Sequence, residues 1–550
     1  MAEKSTPGNG PPVEEKAGPS IPPAYPDEVD NEPEEGKQKP LKRALEGRHM
    51  QMIAVGGAIG AGLFVGSGQA LHNGGPASVL IAFIIVGILM YMTVLSLGEL
   101  AIMYPINGAF YEYSVRFIDP SWGFAMGWIY AFSWLVTLPF EITAAGLTID
   151  FWRSDLNIGI FVTIFLVALI VVQIFGVRAY GEVEFVLAII KIIACIGLII
   201  LGIIINCGGV SSDPRGYIGG RYWHHPGAFR NGFKGFCSVF VNAVFSFTGT
   251  EMVGLAAAEA RNPRKSLPKA AKQVFWRITL FYVINLLIVG LNVPSDDDRL
   301  LGASGVNVKA SPFVLAIEEA GIKVLPSIIN AVVCISVLSV ANSCAYGSTR
   351  TLQAMALTGR APKFFAYVDR HGRPTWCIVL QILIGFLAYI NEAASGATVF
   401  NWLLAISSLA GVFTYLSINW AHLRLRYAFK VQGRSLDEIP WKSPVGVIGS
   451  AIGVFLSVLC IAAVFYSSLF PADHSPPNAE TFFEGFLSGV IVVALFVFWK
   501  LFTRQWSWGI DPRSIDLDSG RRYPGTGNLP PPGELEEKLP WWKRALHEVF

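Results

Sequence analysis

Four ionisable residues sit inside long apolar runs of this chain: Glu99, Glu141, Lys191 and Glu251. An ionised side chain at the centre of a bilayer costs roughly 2.5–3.5 kcal/mol on insertion scales, so each needs a reason to be there. Buried carboxylates and ammonium groups take up and release protons, pair with charged ligands, or satisfy backbone groups that a helix leaves open. Glu251 directly follows the polar interruption SFTGT, where its protonation could answer a ligand; capping the helix segment after it is the alternative. Lys191 lies seven residues past Glu184, about 10 Å at 1.5 Å per residue. Its stem can snorkel back to the surface, or hold a desolvated ammonium that cycles a proton. Glu99 is expected to hydrogen-bond between helices. Glu141 follows Pro139 and is expected to satisfy a freed backbone group, a part in a proton path being the second reading.

The elements that carry these residues must cross a membrane. Of 550 residues 53% are hydrophobic and 15% charged, far below the roughly 25% charged of soluble domains. Twelve spans are predicted, at residues 50–71, 78–103, 121–148, 156–177, 184–206, 234–258, 272–293, 324–346, 375–391, 397–421, 445–469 and 482–502. All must be helices, because lipid offers no partner to open backbone groups. The predicted class is therefore an all-α polytopic membrane protein. The loops after spans six, eight and ten carry five Lys or Arg each, and those after spans nine and eleven none. This asymmetry predicts that both termini are cytoplasmic, with Arg215, Arg221 and Arg230 after span five running against the trend.

Six glycines in VGGAIGAGLFVGSG, residues 55–68, spoil span one as a helix. No strand precedes them and no Lys-Ser/Thr pair follows, which excludes a nucleotide loop. Close helix packing through small residues is one reading; a discontinuous helix with free N–H groups at one half-helix end and free carbonyls at the other is the second. Span six supplies the matching break at Ser246, Thr248, Gly249 and Thr250, where the second half of a five-plus-five inverted repeat would begin. The pair favours the discontinuous reading, with Gly60–Gly62 non-helical and facing Phe245–Gly249. Such breaks attract a zwitterion.

Outside the spans, residues 1–48 are read as a disordered cytoplasmic tail and 504–550 as a cytoplasmic tail ending in an amphipathic helix, PWWKRALHEVF. The membrane part, 49–503, divides into 49–206, 233–422 and 445–503. A net charge of +2 points to no nucleic acid, and the seven scattered cysteines and eight histidines give no metal-ligand spacing and no cofactor motif. Cys207 and Cys237 flank one loop and could bridge.

Five segments then carry a resemblance: LKRALEGRHMQMIAVGGAIGAGLFVGSG, GGPA at 74–77, LGELAIMYP at 97–105, FSFTGTEMVGLAAAEARNPRKSLPKA at 245–270, and ANSCAYGSTRTLQAMALTGRAPKFF at 341–365. The chain resembles fungal amino acid permeases of the yeast amino acid transporter family, in the amino acid-polyamine-organocation superfamily. The resemblance implies a five-plus-five core with spans eleven and twelve appended, and proton-driven amino acid symport at the plasma membrane. It implies that a substrate carboxylate sits on N–H groups around Gly60, Ala61 and Gly62. The ammonium would sit on carbonyls of Ala58, Phe245 and Thr248, with Ile59, Ser246 and Gly249 in the same two breaks. The Phe245 ring would form part of an outer gate and Glu259 an inner one, and Lys in span five favours the proton role for Lys191. Ala61 departs from the hydroxyl residue many members carry, which leaves backbone contacts intact.

Ser133, Trp134, Asn342 and Ser407 are candidates for the side-chain pocket. No unpaired acid is dedicated to a cationic substrate, which favours neutral amino acids. A polyamine or other organic-cation carrier and a non-transporting amino acid sensor are the competing functions; an enzyme would need a nucleophile–base pair that is not evident. Membrane lipid is a further partner, and the tail lysines Lys4 and Lys16 are candidate points for ubiquitin-dependent trafficking machinery.

Overall fold

A computed structural model describes residues 45–149, 151–152, 156–260, 262–301, 311–392, 396–472 and 476–521. The predicted N-terminal tail up to residue 44 and the terminal PWWKRALHEVF helix lie outside the described residues. Within them the chain is helical, with no strand; one isolated backbone bridge joins Leu45 to Ala260. The helices are α1 (Gly47–Gly56), α2 (Ser67–Met103), α3 (Phe110–Tyr113), α4 (Pro120–Ile149), α5 (Ile158–Ile174), α6 (Val177–Asn206), α7 (Gly232–Phe247) and α8 (Met252–Ala256). They continue as α9 (Pro263–Arg277), α10 (Asn285–Asn292), α11 (Pro312–Glu319), α12 (Leu325–Leu357), α13 (Thr375–Gly385), α14 (Gly396–Val431), α15 (Gly446–Leu469) and α16 (Ala479–Thr503). Among the described residues, eight helical stretches are long and apolar enough to cross a membrane, and two shorter apolar ones accompany them, so this is a multi-pass membrane protein.

Helix boundaries depart from the hydropathy-based ones wherever polar residues continue a helix beyond its apolar run. Span five begins at Val177 instead of residue 184, span seven's helix at Pro263 instead of 272, and span eight runs on to Leu357 instead of 346. Lys191 is therefore fourteen residues, about 21 Å, along its helix. Cys207 and Cys237 are free thiols, not a bridge.

Two spans are broken at mid-course. Span one is helical to Gly56, non-helical from Gly57 to Gly60, and resumes as a π-helical turn at Gly62–Gly66 before α2. Span six stops at Phe247 and resumes at Met252, and Gly249 between them takes φ +109°, a conformation that costs glycine alone little.

The segment after α16 forms a strap across one end of the bundle, against the end of α2, the start of α4 and the end of α14. Tyr104 Oη donates to the Leu517 carbonyl at 2.8 Å and Arg116 to that of Ser519 at 2.6 Å. Gln432 Nε2 reaches the carbonyls of Pro512 and Ile515 at 2.9 Å, and Arg424 bonds that of Ile510. Lys500 pairs with Asp119 at 2.8 Å and Arg434 with Asp518 at 2.7 Å.

Candidate functional site

The two breaks touch. A Cβ at Gly249 would fall onto the Gly57 carbonyl, and one at Gly62 would come within 2.8 Å of Ser246 Cα and 3.0 Å of Phe245 Cδ1. The interruption in span one lies slightly before its expected place: Gly57–Gly60 are non-helical, but Ala61 (φ −56°, ψ −32°) and Gly62 are already helical. The reason is local. Phe64 N donates to the Gly60 carbonyl at 3.2 Å and starts the second half-helix there, which leaves the N–H groups of Ala61–Leu63 at its open N-terminus. That end carries partial positive charge. At the opposite break, the Phe245 carbonyl accepts from Thr248 N at 3.2 Å and keeps a second lone pair for a ligand.

Between the breaks lies a small cavity with about 10 Å³ of free space, room for roughly one water and far below the 300–1,000 Å³ of open ligand pockets. Ala58, Gly60, Gly62, Phe245 and Thr248 line it, together with Trp134 and Thr137 from α4 and Ser407 from α14. Phe245 meets the Phe140 ring edge-on at 5.4 Å. Ser133 is set back, 3.5 Å from the Ser407 hydroxyl, which contacts Thr137. Ile59 lines a different cavity on the far side of the break, and Ser246 bonds back to the Asn242 carbonyl at 2.7 Å. Asn342 is not a pocket residue; it lies on α12 against Gln173 and Glu184.

The buried charges fall into separate places. Glu141 lines the cavity, with Oε1 3.8 Å from where a Cβ on Gly60 would sit and Oε2 without a hydrogen-bond partner. That oxygen satisfies no backbone group, contrary to the first expectation for Glu141, and it faces the pocket as an acid without a partner, contrary to the expectation that no unpaired acid serves a cationic substrate. Glu251 sits beneath the span-six break: Oε2 accepts from Gly249 N at 2.9 Å and Oε1 from Tyr130 Oη at 3.2 Å. It thus ties the break itself rather than capping the start of α8.

Lys191 is fully buried, and its Nζ donates to the Gly56 carbonyl at 2.6 Å, the negative end of α1's dipole. That geometry overturns the snorkelling alternative. Glu259 accepts from Arg350 Nε at 2.9 Å and from Tyr346 Oη at 3.3 Å. Glu99 lies outside the cavity, bound by Arg426 and by Ser443 N at 2.7 Å each, with His422 Nε2 3.0 Å away.

Two intramembrane charges escaped the sequence reading. Glu184 was taken as the membrane edge, yet it is completely buried. Arg277 falls inside the predicted span 272–293 without being counted among its charges, and its Nε and Nη2 are buried without hydrogen-bond partners beside Ala58 and Thr250. The available signal was their position inside an unbroken helical pattern, which length alone could have shown.

A family model described as amino acid permease matches residues 49–508. The chain is 55% identical to an uncharacterised amino-acid permease of Schizosaccharomyces pombe over 91% of this chain and 84% of that one. It is 53% identical to a general amino-acid permease of Candida albicans (88% and 82% covered) and 50% identical to one of Saccharomyces cerevisiae (88% and 81%). Among solved structures, a manganese transporter of Eremococcus coleocola superposes with TM-score 0.51 at 14% identity over 83% of this chain and 94% of that chain, a likeness of fold alone.

Proposed function

The chain belongs to the amino acid permease family, and from that premise we propose that it is a secondary active transporter that carries L-amino acids into the cell together with protons by alternating access. The observation that carries this reading is the contact of the two broken spans around one cavity, with open N–H groups on one side and backbone carbonyls on the other. A zwitterion supplies the matching charges: its carboxylate on the N–H groups of Gly60–Gly62, its ammonium on the carbonyls of Ala58, Phe245 and Thr248. Lys191 and Glu251 are the proton-coupling residues, and Glu259 with Arg350 forms the inner gate. In this reading the chain has twelve spans in a five-plus-five inverted repeat followed by α15 and α16, with both termini cytosolic at the plasma membrane.

The unpartnered oxygen of Glu141 in the cavity widens the proposed substrates to cationic as well as neutral amino acids. It also favours a second reading, a polyamine or organic-cation carrier.

Uptake of labelled leucine and lysine into proteoliposomes, with imposed pH and voltage gradients and competition by all amino acids and by spermidine, tests both. One proton moving down 100 mV releases about 2.3 kcal/mol, enough for roughly fortyfold accumulation of a neutral substrate. Accumulation that ignores both gradients would refute coupling. Competition by spermidine alone would replace the amino acid reading with the second one.

A further inference from the structure

Glu184 takes no part in the site described above, yet it is a completely buried acid next to it. Its Oε1 accepts from Ser339 Oγ at 2.5 Å and its Oε2 from Asn342 Nδ2 at 3.4 Å, both on α12. Lys191 follows seven residues later on the same helix, two turns on and therefore on the same face. Helical side chains tilt toward the N-terminus, so the lysine reaches in the direction of the acid.

The two side chains converge on one residue. Lys191 Nζ donates to the Gly56 carbonyl at 2.6 Å. The Glu184 carboxylate fills the space that a side chain on Gly56 would need, its Cδ 2.6 Å from that point. Gly56 is the last residue of α1 and the non-helical Gly57–Gly60 follow directly, so the cover over the pair ends at a flexible joint. The remaining titratable groups that face the pair are Tyr180 and Cys195 from α6, Cys344 from α12 and Glu141 from α4.

We propose that Glu184 is the proton acceptor on the cytosolic side of Lys191, a reading that rests on the coupling role given to Lys191 above. When the end of α1 withdraws, Lys191 loses its carbonyl partner and the carboxylate loses its cover at the same moment. An N–H bond of the ammonium breaks and an O–H bond forms on Glu184 through the water that enters, leaving an amine and a carboxylic acid. The pair carries no net charge before or after this transfer, which spares the interior an unpaired ion. Cytosolic water then takes the proton from Glu184, and Lys191 is reloaded from the outer side, so one proton crosses per cycle.

The test is Glu184→Gln and Glu184→Asp in proteoliposomes, read by two assays on labelled leucine. Exchange against internal leucine at equal pH moves no net proton; accumulation under an inward pH gradient does. Glu184→Gln is expected to lower accumulation about a hundredfold and exchange far less, with Glu184→Asp recovering part of the accumulation. Gradient-driven accumulation by Glu184→Gln at the level of the unaltered protein would overturn the proposal. So would exchange and accumulation lost in equal measure in both variants, the result of a packing role. Gradient-insensitive uptake by the unaltered protein would overturn the coupling reading itself, whatever either variant does.

Discussion

Arg350 Nε donates to Glu259 Oε1 at 2.9 Å, joining α12 to the end of span six with both side chains almost fully buried. The guanidinium also lies 4.5 Å over the Tyr346 ring, which stacks on Tyr180 at 4.6 Å. Removing one partner strands the other charge, a loss of about 3–5 kcal/mol for buried pairs. Arg350→Ala should therefore unfold at a clearly lower temperature in detergent, and Arg350→Ala with Glu259→Gln should recover part of the loss. Additive losses in that double-mutant cycle would deny the coupling.

Glycine is required at position 62 by a backbone neighbour, which cannot rotate away as a side chain would. A methyl group there meets Ser246 Cα at 2.8 Å, so the two breaks must part. Gly62→Ala should lower uptake by on the order of a hundredfold or more, as misplacement near 1 Å does to a preorganised site. Gly197→Ala, on a face with nothing within 4 Å, is the control and should transport normally. Equal activity of the two variants would show that the breaks do not need their contact.

The free oxygen of Glu141 gives a specificity prediction. Glu141→Gln keeps the shape of the cavity and removes its negative charge, so inhibition of leucine uptake by lysine and arginine should weaken about tenfold more than inhibition by isoleucine. Inhibition constants measured side by side decide it; parallel shifts for all three would mean the charge does not read the substrate.

On the opposite side of the bundle from the strap, Asp213 sits in an ion-pair cluster, with Arg215 at 2.8 Å and Glu319 sharing the same guanidinium at 2.6 Å. The Arg215 hydrogen bonds hold the Asp213 carboxyl below the usual carboxylate range, against the opposing effect of burial. Its folded-state pKa is depressed, so its contribution is present above the unfolded value near 3.9 and is lost as pH falls through the folded one. Asp213→Asn should cost about 1.5–3 kcal/mol at pH 7, and its deficit in unfolding temperature should shrink below about pH 3.9. A deficit independent of pH would assign the effect to packing.

How legible these features were depends on whether a residue's type or its partners decide its place. The breaks were legible because glycines and threonines interrupt an apolar run at the very residues where the helix stops, Gly57–Gly60 and Thr248–Gly249. Glu184 was not, because a charge at the edge of an apolar run reads as a membrane boundary, and only Ser339, 155 residues away, reveals it as interior. Asn342 was misassigned to the pocket for the same reason: its helical face was legible, its partner was not. The strap left no trace, since its bonds run largely to backbone carbonyls, which every residue possesses.

That strap also imposes an order on biosynthesis. Tyr104 and Arg116 leave the ribosome 413 and 403 residues before their partners Leu517 and Ser519. At about 5–20 residues per second the interval is roughly 20–80 s, during which the first half of the bundle stands with these donors open to water. A chain that stops short of residue 509 keeps every apolar helix among the described residues but never closes that seam, so completeness of translation is written into this end of the bundle as a contact that forms last.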